Sequence, residues 1–231
     1  MRNSGGSAQQ IAVVVPAHNE AESLPACLRA LTTAALCVPT PVHTVVVLDS
    51  CDDDSARLAG RYGPDVHFVA VQAGNVGAAR AAGFDHARTL TGDDSSTWYA
   101  TTDADSVVDT DWLIRMTSFD ADMVLGVVRV PTWRNLSPAV ARRYLREYRA
   151  GGPRHVHGAN MGFRADAYWS VGGFRALASH EDVDLVDRFT KAGLWVHRDR
   201  KLSVATSDRV EGRAPHGFAE HLRGLSRKAA S

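Results

Sequence analysis

The first half of the chain alternates short apolar runs with segments of helical periodicity. Runs rich in β-branched and aromatic residues predict strands at Ile11–Val15, His43–Leu48, Val66–Val71 and Trp98–Thr102. Between these runs, helices are predicted at Glu20–Leu36, 55–62 and Gly77–Thr89. Because the strands are continuously apolar rather than alternating, we expect them to be buried on both faces. The order of elements predicts an α/β fold with a mostly parallel central sheet flanked by helices.

The second half of the chain has a less regular pattern. Helices are predicted at 111–119, 137–149, 166–171, 181–192 and 217–228. Strands are predicted at 123–130, 157–163, 194–197 and 202–206. The helix over 181–192 has the clearest end, because Gly193 follows it. We expect a flexible N-terminus over residues 1–10, followed by a single domain over 11–231.

Composition argues against several classes of function. Lysine and arginine together number 26, as do aspartate and glutamate, so the charge gives no reason to expect a nucleic-acid partner. No apolar run approaches the roughly 20 residues that cross a bilayer, so no transmembrane segment is expected. Cys27, Cys37 and Cys51 are odd in number and form no CxxC pair, which is typical of reduced thiols in a cytoplasmic protein.

Polar residues follow the predicted strands of the first half. These clusters lie at 17–20, 49–55, 75–80 and 103–105. The carboxyl ends of parallel strands meet at one edge of a sheet, where open α/β folds bind their ligands. Asp103 and Asp105 flank one alanine there, and carboxylates are suitable ligands for Mg²⁺ or Mn²⁺. Each cluster alone is also typical of a turn or a helix cap, but the set favours a binding cleft.

The order of these motifs resembles that of the family 2 glycosyltransferases, which have a GT-A, Rossmann-like domain. The similar segments are 14–20, 47–55, 75–83, 102–105, 158–164 with 172–174, and 180–185. They include a Thr-Asp-Ala-Asp sequence like the family's metal motif and a late Glu-Asp pair. The second motif departs from the usual Asp-Asp-Gly-Ser at Leu48 and Ser50, and Ala81 stands where an asparagine is common. These departures leave the identity of the nucleotide open.

The resemblance implies a site for a nucleotide-diphosphate sugar and a divalent metal, Mn²⁺ or Mg²⁺. The residues that it assigns to the donor are Pro16, Ala17, His18, Glu20, Asp49, Asn75, Gly77, Arg80, Asp103, Ala104, Asp105, Arg209 and Arg213. Asp105 and Asp103 would hold the metal, with Asp105 the more direct ligand and His216 a further contact. Residues 11–105 would form the nucleotide-sugar-binding half, 106–205 the acceptor-side half, and 206–231 a C-terminal loop and helix.

The resemblance also implies an acceptor side, which the family builds beside the donor. Its residues would be Gly158, Ala159, Asn160 and Glu181. Asp182 would be the general base that accepts a proton from the acceptor hydroxyl, in a direct displacement that inverts the anomeric centre.

Structural roles compete with these functional ones. Glu181 and Asp182 begin a predicted helix, where acidic residues stabilise the N-terminus. Glu20 and Asp49 have helix capping as their alternative. Arg80 has as its alternative the solvation of an alanine-rich helix.

Two other functions compete with sugar transfer. A nucleotidyltransferase has a related α/β core and also needs carboxylates for Mg²⁺, but it usually carries a Gly-rich, basic loop after the first strand. Residues 16–20 contain no glycine, lysine or arginine, which argues against it. A catalytically weak nucleotide-sugar-binding protein on the same fold is the second alternative, favoured by the departures beside Asp49. For a transferase, we expect a small-molecule or peripheral lipid acceptor.

Overall fold

The computed structural model describes residues 8–131, 133, 138, 140–142, 146 and 156–207. Within this part, the strands are β1 (Gln10–Ala17), β2 (Val42–Asp49), β3 (Val66–Val71), β4 (Thr97–Thr101), β5 (Ser106–Val108), β6 (Met123–Arg129), β7 (Met161–Arg164) and β8 (Val196–Thr206). The helices with defined bounds are α1 (Leu24–Leu36), α2 (Val76–Thr91), α3 (Trp112–Thr117), α4 (Ala165–Ser170) and α5 (Glu181–Lys191).

All these strands belong to one sheet, in the order β3-β2-β1-β4-β7-β6-β8-β5. The four strands predicted in the first half pair in parallel, β3 with β2, β2 with β1, and β1 with β4. Strand β7 then pairs antiparallel with both β4 and β6, while β6 and β8 are parallel. The prediction of an α/β fold with a mostly parallel sheet flanked by helices is confirmed.

The two faces of β1 belong to different apolar clusters. Ile11 and Val13 point to the side covered by α1, whereas Ala12 and Val14 point to the side covered by α2. A Cβ added to Gly83 of α2 would lie 2.4 Å from Cγ1 of Val14, so this glycine lets the helix pack directly on the sheet. Both faces of the strand are therefore buried, as its continuous apolar sequence predicts.

Several predicted elements differ from those in the structure. The two short strands predicted at 194–197 and 202–206 are one strand, β8, and β5 was not predicted. The helix predicted at 55–62 is a short 3-10 helix at Asp54–Leu58, and the helix predicted from Glu20 begins at Leu24. The predicted helix over 217–228 and most of that over 137–149 lie outside the described residues. No helix in the described part of the chain is long and apolar enough to cross a membrane.

Candidate active site

Acidic side chains converge where β1, β2 and β4 end. The ring Nδ1 of His18, after β1, lies 2.7 Å from the backbone oxygen of Asp49 at the end of β2. Burial raises the pKa of the Cys27 thiol on α1, and the nearby carboxylates of Asp105, Asp103 and Glu20 raise it further. The Cys27 thiol also donates to the backbone oxygen of Asp103 at 3.5 Å, so α1 lies against the turn that follows β4.

The loops after β1 and β2 are joined by reciprocal hydrogen bonds. Asn19, which has a φ of 55°, donates from Nδ2 to Asp52 Oδ1 at 2.5 Å and accepts from the Asp52 amide at 2.9 Å. Asp53 accepts from the Ala21 and Ser55 amides, each at 2.9 Å. Asp52 and Asp53 therefore hold the loops after β1 and β2 against each other.

Asp49 organises the loop that follows β3. It is buried, and its Oδ1 accepts hydrogen bonds from the amides of Ala73 at 2.8 Å and Gly74 at 3.0 Å. The Ser50 hydroxyl donates to the same oxygen at 3.0 Å. Helix capping, the structural alternative for Asp49, is not its role, because its partners lie in the loop before α2 rather than in a helix.

The first turn of α2 is covered by a loop from the second half of the chain. Asn75 caps the helix, accepting from the Ala78 amide at 2.8 Å. The Gly77 amide donates to the Leu177 oxygen at 3.2 Å, and a Cβ on Gly77 would lie only 2.2 Å from the Arg175 oxygen. Glycine is therefore needed here for the close approach of two backbone segments. The Asn75 side chain and the Gly77 amide, which the resemblance assigns to the donor, are therefore engaged with the protein's own backbone.

Arg80 is the charged centre of the site. Its side chain is only 3% exposed, so the alternative of a solvated helix residue is wrong. Nη2 contacts Oδ1 of Asp103 at 2.6 Å, Nη1 contacts Oε1 of Glu181, and Nε donates to Oγ1 of Thr101 at 3.3 Å. Its Cζ lies 5.6 Å from the centre of the Phe174 ring. Arg80 therefore links residues from both halves of the chain.

The charges around Arg80 are strongly coupled. Burial by itself would lower the pKa of Arg80, but the carboxylates of Asp103 and Glu181 more than offset this effect and raise it. Burial raises the pKa of Asp103 and of Glu181; Arg80 opposes both shifts, and the Asp182 carboxylate reinforces them. Arg80 thus contacts two carboxylates, Asp103 and Glu181, and the carboxylate of Asp182 lies near enough to affect the pKa of all three groups.

Asp182 lies at the start of α5 and faces the segment before β7. Its Oδ2 accepts a hydrogen bond from the Gly158 amide at 2.8 Å, and its Oδ1 accepts from the Val183 amide at 2.7 Å. His180, the residue immediately before α5, has a φ of 61°, so the chain turns sharply into the helix. The structure thereby brings together Gly158, predicted for the acceptor side, and Asp182, predicted as the base.

Asn160 connects β6, β8 and α3 from inside the protein. Its Nδ2 donates to the oxygens of Val127 at 2.9 Å and Leu202 at 3.0 Å, and its Oδ1 accepts from Trp112 Nε1 at 2.9 Å. The side chain is fully buried, and the neighbouring Ala159 is buried as well. We therefore interpret both residues as supports of the site rather than as acceptor contacts.

The remaining predicted residues lie near the ends of strands or outside the described part of the chain. Ala17 and Ala104 are buried, and Pro16 is half-buried at the end of β1. Asp103 and Asp105 flank a turn in which the Ser106 amide donates to the Asp103 oxygen at 3.0 Å. Among the described residues, no three His, Cys, Asp or Glu side chains are arranged to hold a metal. Arg209, Arg213 and His216 lie outside the described part of the chain.

Thr101 contributes to this site but was missed by sequence reasoning, whereas Phe174 belongs to the segment 172–174 that the resemblance assigned to the acceptor side without a role for the ring. Thr101 is the last residue of β4 and reads in the sequence as an ordinary buried strand position. Phe174 follows the Gly172-Gly173 pair, and that pair was the signal of a tight turn that brings an aromatic ring back to the core.

Comparison with known proteins places the chain in a family. The model of "Glycosyl transferase family 2" matches residues 12–172, from within β1 to just beyond α4, and Glu181 and Asp182 follow the matched region. The chain belongs to glycosyltransferase family 2. None of the curated proteins matches the sequence significantly.

Solved structures share the fold of this family 2 chain. TarS 1-349 of S. aureus, in complex with UDP-GlcNAc, has a TM-score of 0.66 at 15% identity over 96% of this chain and 65% of that one. The mannosyltransferase PcManGT of Pyrobaculum calidifontis, in complex with GDP-Man and Mn²⁺, has a TM-score of 0.64 at 17% identity over 96% of this chain and 73% of that one. The family 2 chain thus spans about two thirds of the length of the TarS chain that it matches.

Proposed function

We propose that this chain transfers a sugar from a nucleotide-diphosphate sugar to an acceptor hydroxyl, with a divalent metal and with inversion. The observation that carries the proposal is the convergence of Asp103 and Glu181 on Arg80, with Asp182 beside them. It joins the strand-end acids of the donor half to the helix that carries the candidate base. Membership of family 2 and similar structures bound to UDP-GlcNAc and GDP-Man support the same function.

The residues present fit a metal that is shared with a diphosphate. Mg²⁺ is usually bound by one or two carboxylates together with substrate phosphates, and Asp103 and Asp105 supply such a pair. The Asp103 side chain remains 40% exposed, although its Oδ1 contacts Arg80. Asp105 would be the main ligand, and Asp103 would share its charge between the metal and Arg80. When bound, the metal would neutralise the negative charge that develops on the leaving diphosphate.

Asp182 would act as the general base. Its two oxygens are oriented by the Gly158 and Val183 amides, and the side chain is half-buried rather than enclosed. In the transfer, the acceptor oxygen bonds to the anomeric carbon while the bond from that carbon to the diphosphate breaks. The electron pair of the broken bond leaves with the nucleotide, and the acceptor proton moves to Asp182. Such proton transfer typically contributes about 10²–10⁴-fold to a rate.

The other assigned contacts stay predictions within this proposal. Pro16, His18 and Asp49 would face the nucleoside, while Arg209, Arg213 and His216 would close over the donor. The acceptor would be a small molecule or a peripheral lipid. The division of the single domain into donor and acceptor halves and the cytoplasmic location, which rests on cysteine usage, are likewise predictions.

A product assay separates the three candidate functions. Incubation of the chain with UDP-GlcNAc or GDP-mannose and Mn²⁺ should release UDP or GDP, slowly with water alone and faster with an acceptor. Release of pyrophosphate from a nucleoside triphosphate, without release of a nucleoside diphosphate, would instead indicate a nucleotidyltransferase. Binding without any product would indicate a sugar-nucleotide-binding protein and would contradict the proposal.

A further inference from the structure

The Arg80 side chain lies between two parts of the site that are far apart in sequence. Asp103 is 23 residues away and belongs to the metal motif, whereas Glu181 is 101 residues away and directly precedes Asp182. Both contacts are made by one guanidinium that is almost completely buried. The fold therefore fixes the donor acids relative to the start of α5 through a single side chain.

We propose that Arg80 is a positioning residue that sets the geometry between the metal–diphosphate site and the candidate base. This inference rests on the proposed function. Arg80 donates to Asp103, Glu181 and Thr101, and its burial keeps it away from the cleft, so it acts on the reaction through these partners. Its role therefore differs from the direct diphosphate contact that the family resemblance implies.

The shape of the guanidinium explains why arginine is required. Nε, Nη1 and Nη2 donate in three fixed directions, to Thr101, Glu181 and Asp103. The ammonium of a lysine is a single point charge and cannot present this planar fork to two carboxylates. A lysine at position 80 would therefore keep the charge but lose the fixed relation between the two acids.

Gly158 extends the connection to the base. A Cβ added to Gly158 would lie 2.6 Å from Nη2 and 2.7 Å from Cζ of Arg80, so the backbone rests directly against the guanidinium. The amide of the same glycine donates to Oδ2 of Asp182. A shift of Arg80 would therefore move Gly158, and with it Oδ2 of Asp182.

The positive charge of Arg80 has a second effect, which opposes metal binding. The guanidinium occupies Oδ1 of Asp103 and repels a cation that approaches the same carboxylate. Loss of the charge should therefore strengthen the binding of Mn²⁺ while it weakens turnover. A residue that only stabilised the fold would not produce opposite changes in these two quantities.

The test compares Arg80→Lys and Arg80→Gln with Arg88→Gln as the matched control. Arg88 lies on the same helix, is 53% exposed, and contacts Asp93 and the Trp169 ring, neither of which is a predicted site residue. Mn²⁺ affinity is measured by calorimetry without nucleotide, and kcat and KM are measured as release of UDP or GDP from UDP-GlcNAc or GDP-mannose. We expect kcat to fall about 10- to 100-fold in both Arg80 variants, with a change in KM below about threefold. Mn²⁺ should bind more tightly, by about three- to tenfold, in Arg80→Gln alone.

Glu181→Gln provides a test that does not depend on the folding of an Arg80 variant. Glu181→Gln keeps Arg80 on Asp103 but weakens its hold on α5, so kcat should fall while Mn²⁺ affinity stays within about twofold of wild type. Unchanged kcat in folded Arg80→Lys or in Glu181→Gln would overturn the positioning role of Arg80 but would leave the proposed function standing. A wild-type chain without Mn²⁺-dependent binding of UDP or GDP would overturn the proposed function as well.

Discussion

The amide of Gly158 donates a 2.8 Å hydrogen bond to Oδ2 of Asp182, and the same glycine packs against the guanidinium of Arg80. One residue without a side chain thus connects the candidate base to the centre of charge of the site. The contact needs glycine because of space, since any Cβ would overlap the guanidinium. A side chain at position 158 should therefore disturb both Arg80 and Asp182.

Gly158→Ala should disturb both neighbours at once. The added methyl would lie 2.6 Å from Nη2 of Arg80, so either the arginine or the Gly158 segment must shift. Overpacking of this kind typically costs about 1–3 kcal/mol of unfolding free energy. We expect that loss in denaturant unfolding, together with a decrease in turnover of more than about tenfold. Wild-type turnover in a folded Gly158→Ala protein would contradict the coupling of Gly158 to Asp182.

Asp182→Asn should separate chemistry from donor binding. The amide keeps the size of the side chain but cannot accept the acceptor proton, so turnover should fall by about 10²–10⁴-fold. Mn²⁺-dependent binding of UDP or GDP should remain, because Asp182 is not among the predicted donor contacts.

Asp187→Asn provides the matched control for this change. Asp187 lies on the same helix, is 67% exposed and pairs only with Lys191 among the contacts described. Turnover of this control should equal that of wild type. If Asp182→Asn also turned over at the wild-type rate, another residue would have to be the base.

The three cysteines should react with a thiol reagent in an order set by burial. Cys37 is exposed, Cys51 is half-buried and Cys27 is buried, and none of them forms a disulfide. Burial raises the pKa of Cys51 and of Cys27, and neighbouring carboxylates add to both shifts, so both thiolates are disfavoured. In a timed reaction with Ellman's reagent, Cys37 should react first and Cys27 only after unfolding. Fast reaction of Cys27 in the native protein would contradict the packing described around the site acids.

The cleft was predictable because parallel strands bring their carboxyl ends to one edge. A local signal, an apolar run followed by polar residues, was enough to place His18 beside Asp49, and Glu20 near Asp103, at this edge. The contacts of Arg80 were not predictable in the same way. Its partner Glu181 is 101 residues away, and no local pattern states that an arginine on an alanine-rich helix turns inward.

Strand β8 could not be predicted as one strand from the sequence, for a different reason. Its middle, residues 198–201, is Arg-Asp-Arg-Lys and carries no apolar signal, so the pattern suggested a break between two short strands. In the structure the strand is continuous because it pairs with β6 toward both of its ends. The register of this pairing shifts between Leu125 and Val127 of β6. Asp199 is held there by Arg115 at 2.7 Å, a contact from α3 that the sequence pattern does not reveal.

Calorimetry of UDP and GDP binding, with and without Mn²⁺, tests whether this chain has a metal-dependent site for a nucleoside diphosphate. Wild type should bind one of the nucleotides at least about tenfold more tightly with Mn²⁺ than without it. The control Asp109→Asn should behave like wild type, because this aspartate is 51% exposed and pairs with Arg129. Asp105→Asn should lose this increase, because it removes the main metal ligand. Equal affinity with and without Mn²⁺, or no binding of either nucleotide by the wild type, would contradict a metal-dependent nucleotide-sugar site in this chain.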